Sequence, residues 1–118
     1  MFFKMKGILF LLVILLFINS CVKEEVAFKI KEDTITILSP LDKENVSNIT
    51  IIRGTSNNLQ YVELQVDLNG WNRVNGVNEW YYSLNTKELE NGNHVIYVRG
   101  FDGEKFTKIK AVRIKVNN

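Results

Sequence analysis

Cysteine occurs once in the 118 residues, as Cys21, proline once, as Pro40, and histidine once, as His94. Each scarcity removes a class of chemistry. A single thiol forms no internal disulfide, so no covalent staple holds the fold. A single imidazole forces every Ser–His–Asp or Cys–His scheme through His94, and no clustered Cys/His spacing of a zinc site is present. An excess of basic charge is missing as well. The formal net charge is +2, but Lys4 and Lys6 precede Cys21 while all thirteen acids follow it, so residues 21–118 carry thirteen groups of each sign. That balance argues against nucleic-acid binding, which needs a net basic footprint. Long apolar runs are absent too. The longest, Ile8 to Ile18, has eleven residues and as a helix would reach about 16 Å, against a hydrocarbon core of about 30 Å.

That run has a definite setting. "MFFKMKG" in front of it supplies positive charge, and no acid appears before Glu24. A charged n-region followed by an apolar region of about 7–15 residues is the pattern of a signal peptide. The residues "INSC" (Ile18 to Cys21) resemble the lipobox of bacterial lipoproteins: an aliphatic residue, then a small residue directly before cysteine, with Asn19 standing where a small or apolar residue is usual. The resemblance implies that residues 1–20 are removed as a signal helix. It also implies that Cys21 carries diacylglycerol on its sulfur and becomes the first residue of the mature chain. Two or more acyl chains hold a protein stably at about 0.8 kcal/mol per buried CH₂, whereas one is marginal. The alternatives are an uncleaved anchor or an ordinary secreted chain with a free thiol.

Residues 21–33 follow as the lipidated cysteine and a charged tether. Val22 to Asp33, twelve residues, reach at most about 40 Å when extended. Val26, Phe28 and Ile30 alternate, which leaves open a first strand here. From Thr34 to Asn118 the period is two and no helical period appears. "TITIL" places Ile35 and Ile37 on one face and stops at Pro40. "NITIIRG" is a second strand of ambiguous register, because Ile49, Ile51 and Ile52 straddle both faces. "YVELQVDL" sends Val62, Leu64, Val66 and Leu68 inward. Asn69-Gly70 predicts a hairpin, with "WNRV" as the return strand and Asn75-Gly76 as the next turn. "EWYYSLN" alternates Trp80, Tyr82 and Leu84 against Tyr81 and Ser83. Leu89 plugs the turn that ends at Asn91-Gly92, and "HVIYVRGF" leads to a hairpin at Asp102-Gly103. In the last strand the apolar and basic residues change parity together, from Ile109, Lys108 and Lys110 to Val112, Ile114, Arg113 and Lys115. One inserted residue explains both changes, and predicts a β-bulge near Ala111. About seven short strands with turn signals between them make an all-β, antiparallel sandwich.

From Ile35 to Val116 the chain resembles the Ig-like domains repeated in bacterial surface and secreted proteins. The matching pieces are Ser39-Pro40, Gly54-Thr55, "VELQVDLNGW", "WYYSLNT" and "LENGNHVIYVRGFDG". Within them Trp80, Tyr82, Leu84, Asn91, Gly92, His94 and Asp102 stand at the family's recurrent positions. The resemblance implies an immunoglobulin-like sandwich serving as a stalk, spacer, adhesion module or accessory domain. Fold alone names no activity.

Catalytic and metal chemistry find little support. His94 shares the parity of Ile96 and Val98 and reads as a hydrogen-bonded structural residue. Glu63 and Asp67 on one strand face would stand about 13 Å apart, outside the roughly 5–9.5 Å of glycosidase pairs. Asp67-x-Asn69-Gly70 lacks the further ligands and closing glutamate of a calcium loop. Neither an enzyme, a metal nor a cofactor is expected. Two surfaces are candidates for binding. Tyr61, Tyr81, Tyr97 and Phe101 take outward positions and, as neighbours, would form an aromatic platform for sugar rings or an apolar partner. Lys108, Lys110, Arg113 and Lys115 would dock anionic glycan or lipid headgroups, or else guard an exposed strand edge. Trp71 and Trp80 are expected in the core. The expectation is a lipid-anchored, non-catalytic domain at the cell envelope, on the periplasmic or extracellular face, acting in binding, adhesion or structural presentation. The alternatives are a carbohydrate-binding module or an accessory subunit of an envelope complex with a protein partner.

Overall fold

A computed structural model of the chain describes residues 34–118. The signal segment, Cys21 and the tether through Asp33 lie outside the described residues. Eight strands and one 3₁₀ turn follow in order: β1 (Thr34–Ser39), β2 (Glu44–Val46), β3 (Ile49–Asn57), β4 (Tyr61–Val66), β5 (Asn72–Arg73), β6 (Glu79–Asn85), the turn Thr86–Glu88, β7 (Gly92–Phe101) and β8 (Lys110–Val116). They form two sheets, a three-stranded one in the order β1-β3-β6 and a five-stranded one in the order β2-β8-β7-β4-β5. All pairings are antiparallel except β2 with β8. The antiparallel sandwich expected from the alternation, and the immunoglobulin-like form that the resemblance implies, are therefore present, with one strand more than the seven counted. The extra strand, β2, has only three residues and a single inward side chain, Val46, too few for an alternation to be read.

The core collects the inward side of every strand long enough to alternate. Ile35 comes from β1, Ile52 from β3, Val62 and Leu64 from β4, Trp80 and Leu84 from β6, Ile96 and Val98 from β7, and Val112, Ile114 and Val116 from β8. The ambiguous register of β3 resolves in favour of Ile52 and Gly54, which are buried, while Ile49 and Ile51 face outward. Gly54 pairs directly with Trp80 across β3 and β6. A methyl group on Gly54 would collide with the Trp80 ring and with the Thr36 carbonyl of β1. Leu89 packs against this cluster as expected.

Three expectations need correction. Leu68 does not continue the inward face of β4. The strand ends at Val66, Asp67 turns the chain with φ +53°, and Leu68 is 84% exposed. Trp71 is not core either: it precedes the two-residue strand β5, and its ring lies under the Arg99 guanidinium at 4.1 Å. The bulge exists but is displaced. Ala111 is regularly paired with Tyr97. Between the Phe101–Phe106 bridge and the Val98–Lys110 pair, three steps along β7 face four along the other chain, which puts the extra residue at Lys108–Ile109. Ile109 is exposed there, and Lys110 already has the inward parity, but at an open rim.

His94 ties β7 to the loop after β4. Its Nδ1 lies 2.7 Å from Asp67 Oδ2 and its Nε2 lies 2.6 Å from the Glu90 carbonyl. Both partners are acceptors, so both ring nitrogens donate and the ring is held as imidazolium. The hydrogen bond to Asp67 pushes the His94 pKa above its ordinary 6.5 against the opposing effect of burial, and the Glu90 carbonyl adds to it. For Asp67, burial disfavours the carboxylate, but the bonds from His94 and the Val95 N–H outweigh it and hold the pKa below 3.8.

Two outcomes are expected. Gly54→Ala should cost about 1–3 kcal/mol through overpacking, a loss of roughly 4–8 °C per kcal/mol in a domain this size. Thermal unfolding followed by circular dichroism reads it, and unchanged melting would refute the packing described. For the ion pair, the His94 contribution is complete below pH 6.5 and fades as pH rises through the raised pKa. The Asp67 contribution is complete above pH 3.8 and fades as pH falls through its lowered pKa. Melting temperature should therefore peak between those values and decline toward alkaline pH, and His94→Gln should remove the alkaline decline. An alkaline slope identical in the variant would contradict the pairing.

Candidate binding face on the five-stranded sheet

The outward side of the five-stranded sheet carries a cluster of aromatic rings and guanidinium groups. Tyr61 opens β4 and pairs with Phe101 at the end of β7. Their rings stack at 5.3 Å with planes 30° apart. Phe106, from the loop joining β7 to β8, closes the group at 5.1 Å from Phe101 and edge-on to Tyr61 at 6.4 Å. Guanidinium groups fill the gaps between rings. Arg73 of β5 lies 3.7 Å above Tyr61, and Arg99 of β7 lies between Trp71 and Phe106, at 4.1 and 4.0 Å. Such contacts contribute about 0.5–1 kcal/mol each when exposed and more when desolvated. Glu63, next to Arg99 across the β4–β7 pairing, approaches its Nη2 at 3.5 Å.

The expected aromatic platform is thus partly assembled and partly dispersed. Tyr61 and Phe101 are brought into contact. Tyr97 is on the same face, four residues back along β7 and opposite Gln65 and Ala111. Tyr81 is on β6, opposite Arg53, and faces outward from the other sheet. Strand alternation gave the outward direction of each ring correctly, but only the sheet order decides which rings meet. Phe106, Arg73, Arg99 and Trp71 were not anticipated in the cluster. The available signal was the Asp102-Gly103 hairpin, which returns the residues after it across the end of β7.

The four basic residues do not form one patch. Arg113 is taken by Asp42: its Nη2 donates to Oδ2 at 2.6 Å and its Nε to Oδ1 at 3.2 Å. These bonds, with one from the Arg113 backbone N–H, hold the Asp42 carboxyl at about 2. Lys115 is exposed on the outer face of β8. Lys110 lies on the inward side, at the rim of an open groove of about 350 Å³ between β1 and β8 lined by Ile35, Ile37, Pro40 and Asp42. Lys108 is in the loop before β8. β2 covers the outer edge of β8 only along Ile114–Val116, so Lys115 is on a paired stretch while Lys110 precedes the covered one. Neither carboxylate once considered as an acid pair is free for such a role: Glu63 faces Arg99 and Asp67 binds His94. Among the described residues, no group of three His, Cys, Asp or Glu side chains is placed to hold a metal.

No protein-family model matches the chain, and no curated protein does. Solved structures do resemble it. One is an endo-β-1,4-mannanase from Thermotoga petrophila, with a TM-score of 0.67 and 19% identity over 76% of this chain. Another is the fibronectin(III)-like modules of CbhA from Clostridium thermocellum, with a TM-score of 0.53 and 23% identity over 71% of this chain and 96% of that one. A third is an engineered protein, with a TM-score of 0.58 and 16% identity over 74% of this chain. The chain spans about a fifth of the mannanase and of the engineered protein, 21% and 20% respectively. At these identities the likeness establishes the fold: an Ig-like sandwich of the fibronectin III kind.

Proposed function

We propose that this chain is a lipid-anchored, non-catalytic sandwich domain of the cell envelope, acting by binding or by structural presentation. The observation that carries the reading is the order of features ahead of the sandwich: basic residues, an eleven-residue apolar run, a small residue and then the only cysteine. Acylation of Cys21 gives that thiol a role that no residue of residues 34–118 offers it. Cys21→Ser should leave the chain unacylated and still carrying residues 1–20, read as loss of incorporation of labelled fatty acid together with a larger mass. Mass spectrometry of the native protein checks the same point, and an intact Met1 with an unmodified Cys21 would end this reading.

A second reading is favoured by the layered aromatics: the Tyr61–Phe101–Phe106 group as a glycan-binding surface. The endo-β-1,4-mannanase is similar in fold only, so the argument rests on the rings themselves. Arg73 already covers one face of Tyr61, which leaves Phe106, 44% exposed, as the most open ring. If sugars bind here, titration with an oligosaccharide panel should quench the fluorescence of Trp71, and Phe106→Ala should abolish the effect while Tyr81→Ala leaves it. A panel with no quenching would remove the glycan reading.

A further inference from the structure

We propose that Asn69 is a site of spontaneous covalent modification, where the backbone nitrogen of Gly70 attacks the Asn69 side-chain amide and turns the residue into aspartate and isoaspartate. The step needs only the protein and water. The Gly70 nitrogen gives up its proton and forms a bond to Asn69 Cγ. The Cγ–Nδ2 bond then breaks, and the departing nitrogen takes the proton and leaves as ammonia. The resulting five-membered succinimide takes up one water. Opening at Cγ gives aspartate, and opening at the backbone carbonyl carbon gives isoaspartate. The chain holds three asparagine–glycine pairs, Asn69-Gly70, Asn75-Gly76 and Asn91-Gly92. In each, glycine has no side chain to shield the attacking nitrogen. The dipeptides are identical, so the fold must separate them.

Ring closure requires the peptide plane between the two residues to turn until the nitrogen stands over Cγ, a near-attack separation of about 3–3.5 Å. It also requires an amide free to move. Asn69 meets both conditions. It lies with Gly70 in the connection between β4 and β5, and both residues are exposed. A methyl group on Gly70 would meet nothing within 4 Å. The Asn69 N–H donates to the Val66 carbonyl at 3.2 Å, but among the described residues no hydrogen bond holds its side-chain amide, its carbonyl or the Gly70 N–H. Asn75 is exposed as well, but its peptide plane is fixed. Its carbonyl accepts from the Tyr81 N–H at 2.9 Å and its N–H donates to the Tyr81 carbonyl at 2.9 Å. Gly76 is also crowded by the Glu79 carbonyl. Asn91 is held by its amide: Oδ1 accepts from the Asn118 N–H at 2.9 Å, and Nδ2 donates to the Asn118 carbonyl at 3.4 Å. Gly92 already belongs to β7, paired with Val116. Both of these pairs must open locally before they react. The product at Asn69 also reaches the aromatic face. Isoaspartate adds one carbon to the backbone of the turn, and β5 beyond it pairs with β4 only through Glu63–Arg73 and Leu64–Asn72. Trp71 under Arg99 and Arg73 over Tyr61 are therefore loosened.

The test incubates the purified full chain in warm, mildly alkaline buffer, with and without guanidinium chloride, and follows conversion by peptide mapping. Trypsin separates the three pairs, because cleavage after Arg53, Arg73, Lys87 and Arg99 puts them on residues 54–73, 74–87 and 88–99. Fragmentation in the mass spectrometer locates the converted residue, and labelling with an isoaspartyl methyltransferase scores the isoaspartate. In the folded chain Asn69 should convert at least about tenfold faster than Asn75 or Asn91, which wait on local opening. In denaturant the three rates should converge. Asn118→Ala should raise the Asn91 rate several-fold, with far-UV circular dichroism checking that the variant is folded. The isoaspartyl fraction, separated by anion exchange, should show altered Trp71 emission. Equal rates in the folded chain, or a faster rate at Asn75 or Asn91, overturn the proposal. A spread just as wide in denaturant overturns the structural explanation of the order. An Asn91 rate unmoved in folded Asn118→Ala overturns the protection assigned to Asn118. Unaltered emission overturns the link to the aromatic face.

Discussion

The indole of Trp80, lying on the bare backbone of Gly54, is the contact around which the two sheets are organised. Trp80 is the largest fully buried side chain, and only 2% of its surface reaches solvent. It fills the space between β6 and the facing strands because β3 withdraws its side chain at the paired position. Sheets packed face to face stand about 10 Å apart, and a two-ring side chain can lie over its own sheet in that gap only when the neighbouring strand presents no side chain beneath it. Gly54 is therefore a packing residue here. Ile52, one inward position earlier on β3, is fully buried and fixes the register that puts Gly54 there. A slip of one residue would bring Ile51 and Arg53 into the core and Ile52 out to water, so the pair constrains the three-stranded sheet as a whole.

Alternation made most of this core readable, and the limits of alternation explain what stayed hidden. In β4, β6 and β7 the inward set was legible because each strand has at least three consecutive inward positions filled by large residues. β3 was not, since isoleucine occupies both parities and the decisive inward residue is a glycine. Leu68 misled because the period continues in sequence after the strand has ended in space: Asp67 adopts a positive φ and leaves the ladder. Trp71 misled in another way. A large ring was expected to seek the core, but a guanidinium held over it by the neighbouring strand is also a favourable environment. The displaced bulge follows from reading Ile109 as inward on the ground that it is apolar. The parity change was real, and its position depends on where the loop ends, a tertiary fact.

The binding face shows the same division more sharply. Each outward aromatic was identifiable from its own strand, yet whether Tyr61 meets Phe101 or Tyr81 depends on sheet order, which one-strand periodicity does not carry. Phe106 was invisible for that reason. Once the sheet order is given, the arginines become intelligible. Arg99, set between two rings and against Glu63, spends its charge inside the surface layer and packs like a large flat side chain. Arg73 covers Tyr61 from the edge strand. The face is thus laminated, with cations between rings, and differs from an open row of aromatic platforms.

The two ends of the sandwich use their polar groups in opposite ways. At the end holding the Thr86 turn, side chains are consumed by one another. The Thr86 hydroxyl and N–H both donate to the Asn48 carbonyl, Asn118 bridges Asn48, Thr86 and Asn91, and His94 joins Asp67 to Glu90. Such a network satisfies buried donors and acceptors and makes the end stiff, but leaves few groups to offer a ligand. At the Thr34 end the stabilising contacts are rings, guanidinium groups and backbone bonds within the β7–β8 loop. A domain of this size has a small core and few means of adding stability. The hydrogen-bonded end keeps its closure while exposing Leu68 and Ile49, 84% and 67% accessible, so polar closure and apolar exposure coexist at one end of this sandwich.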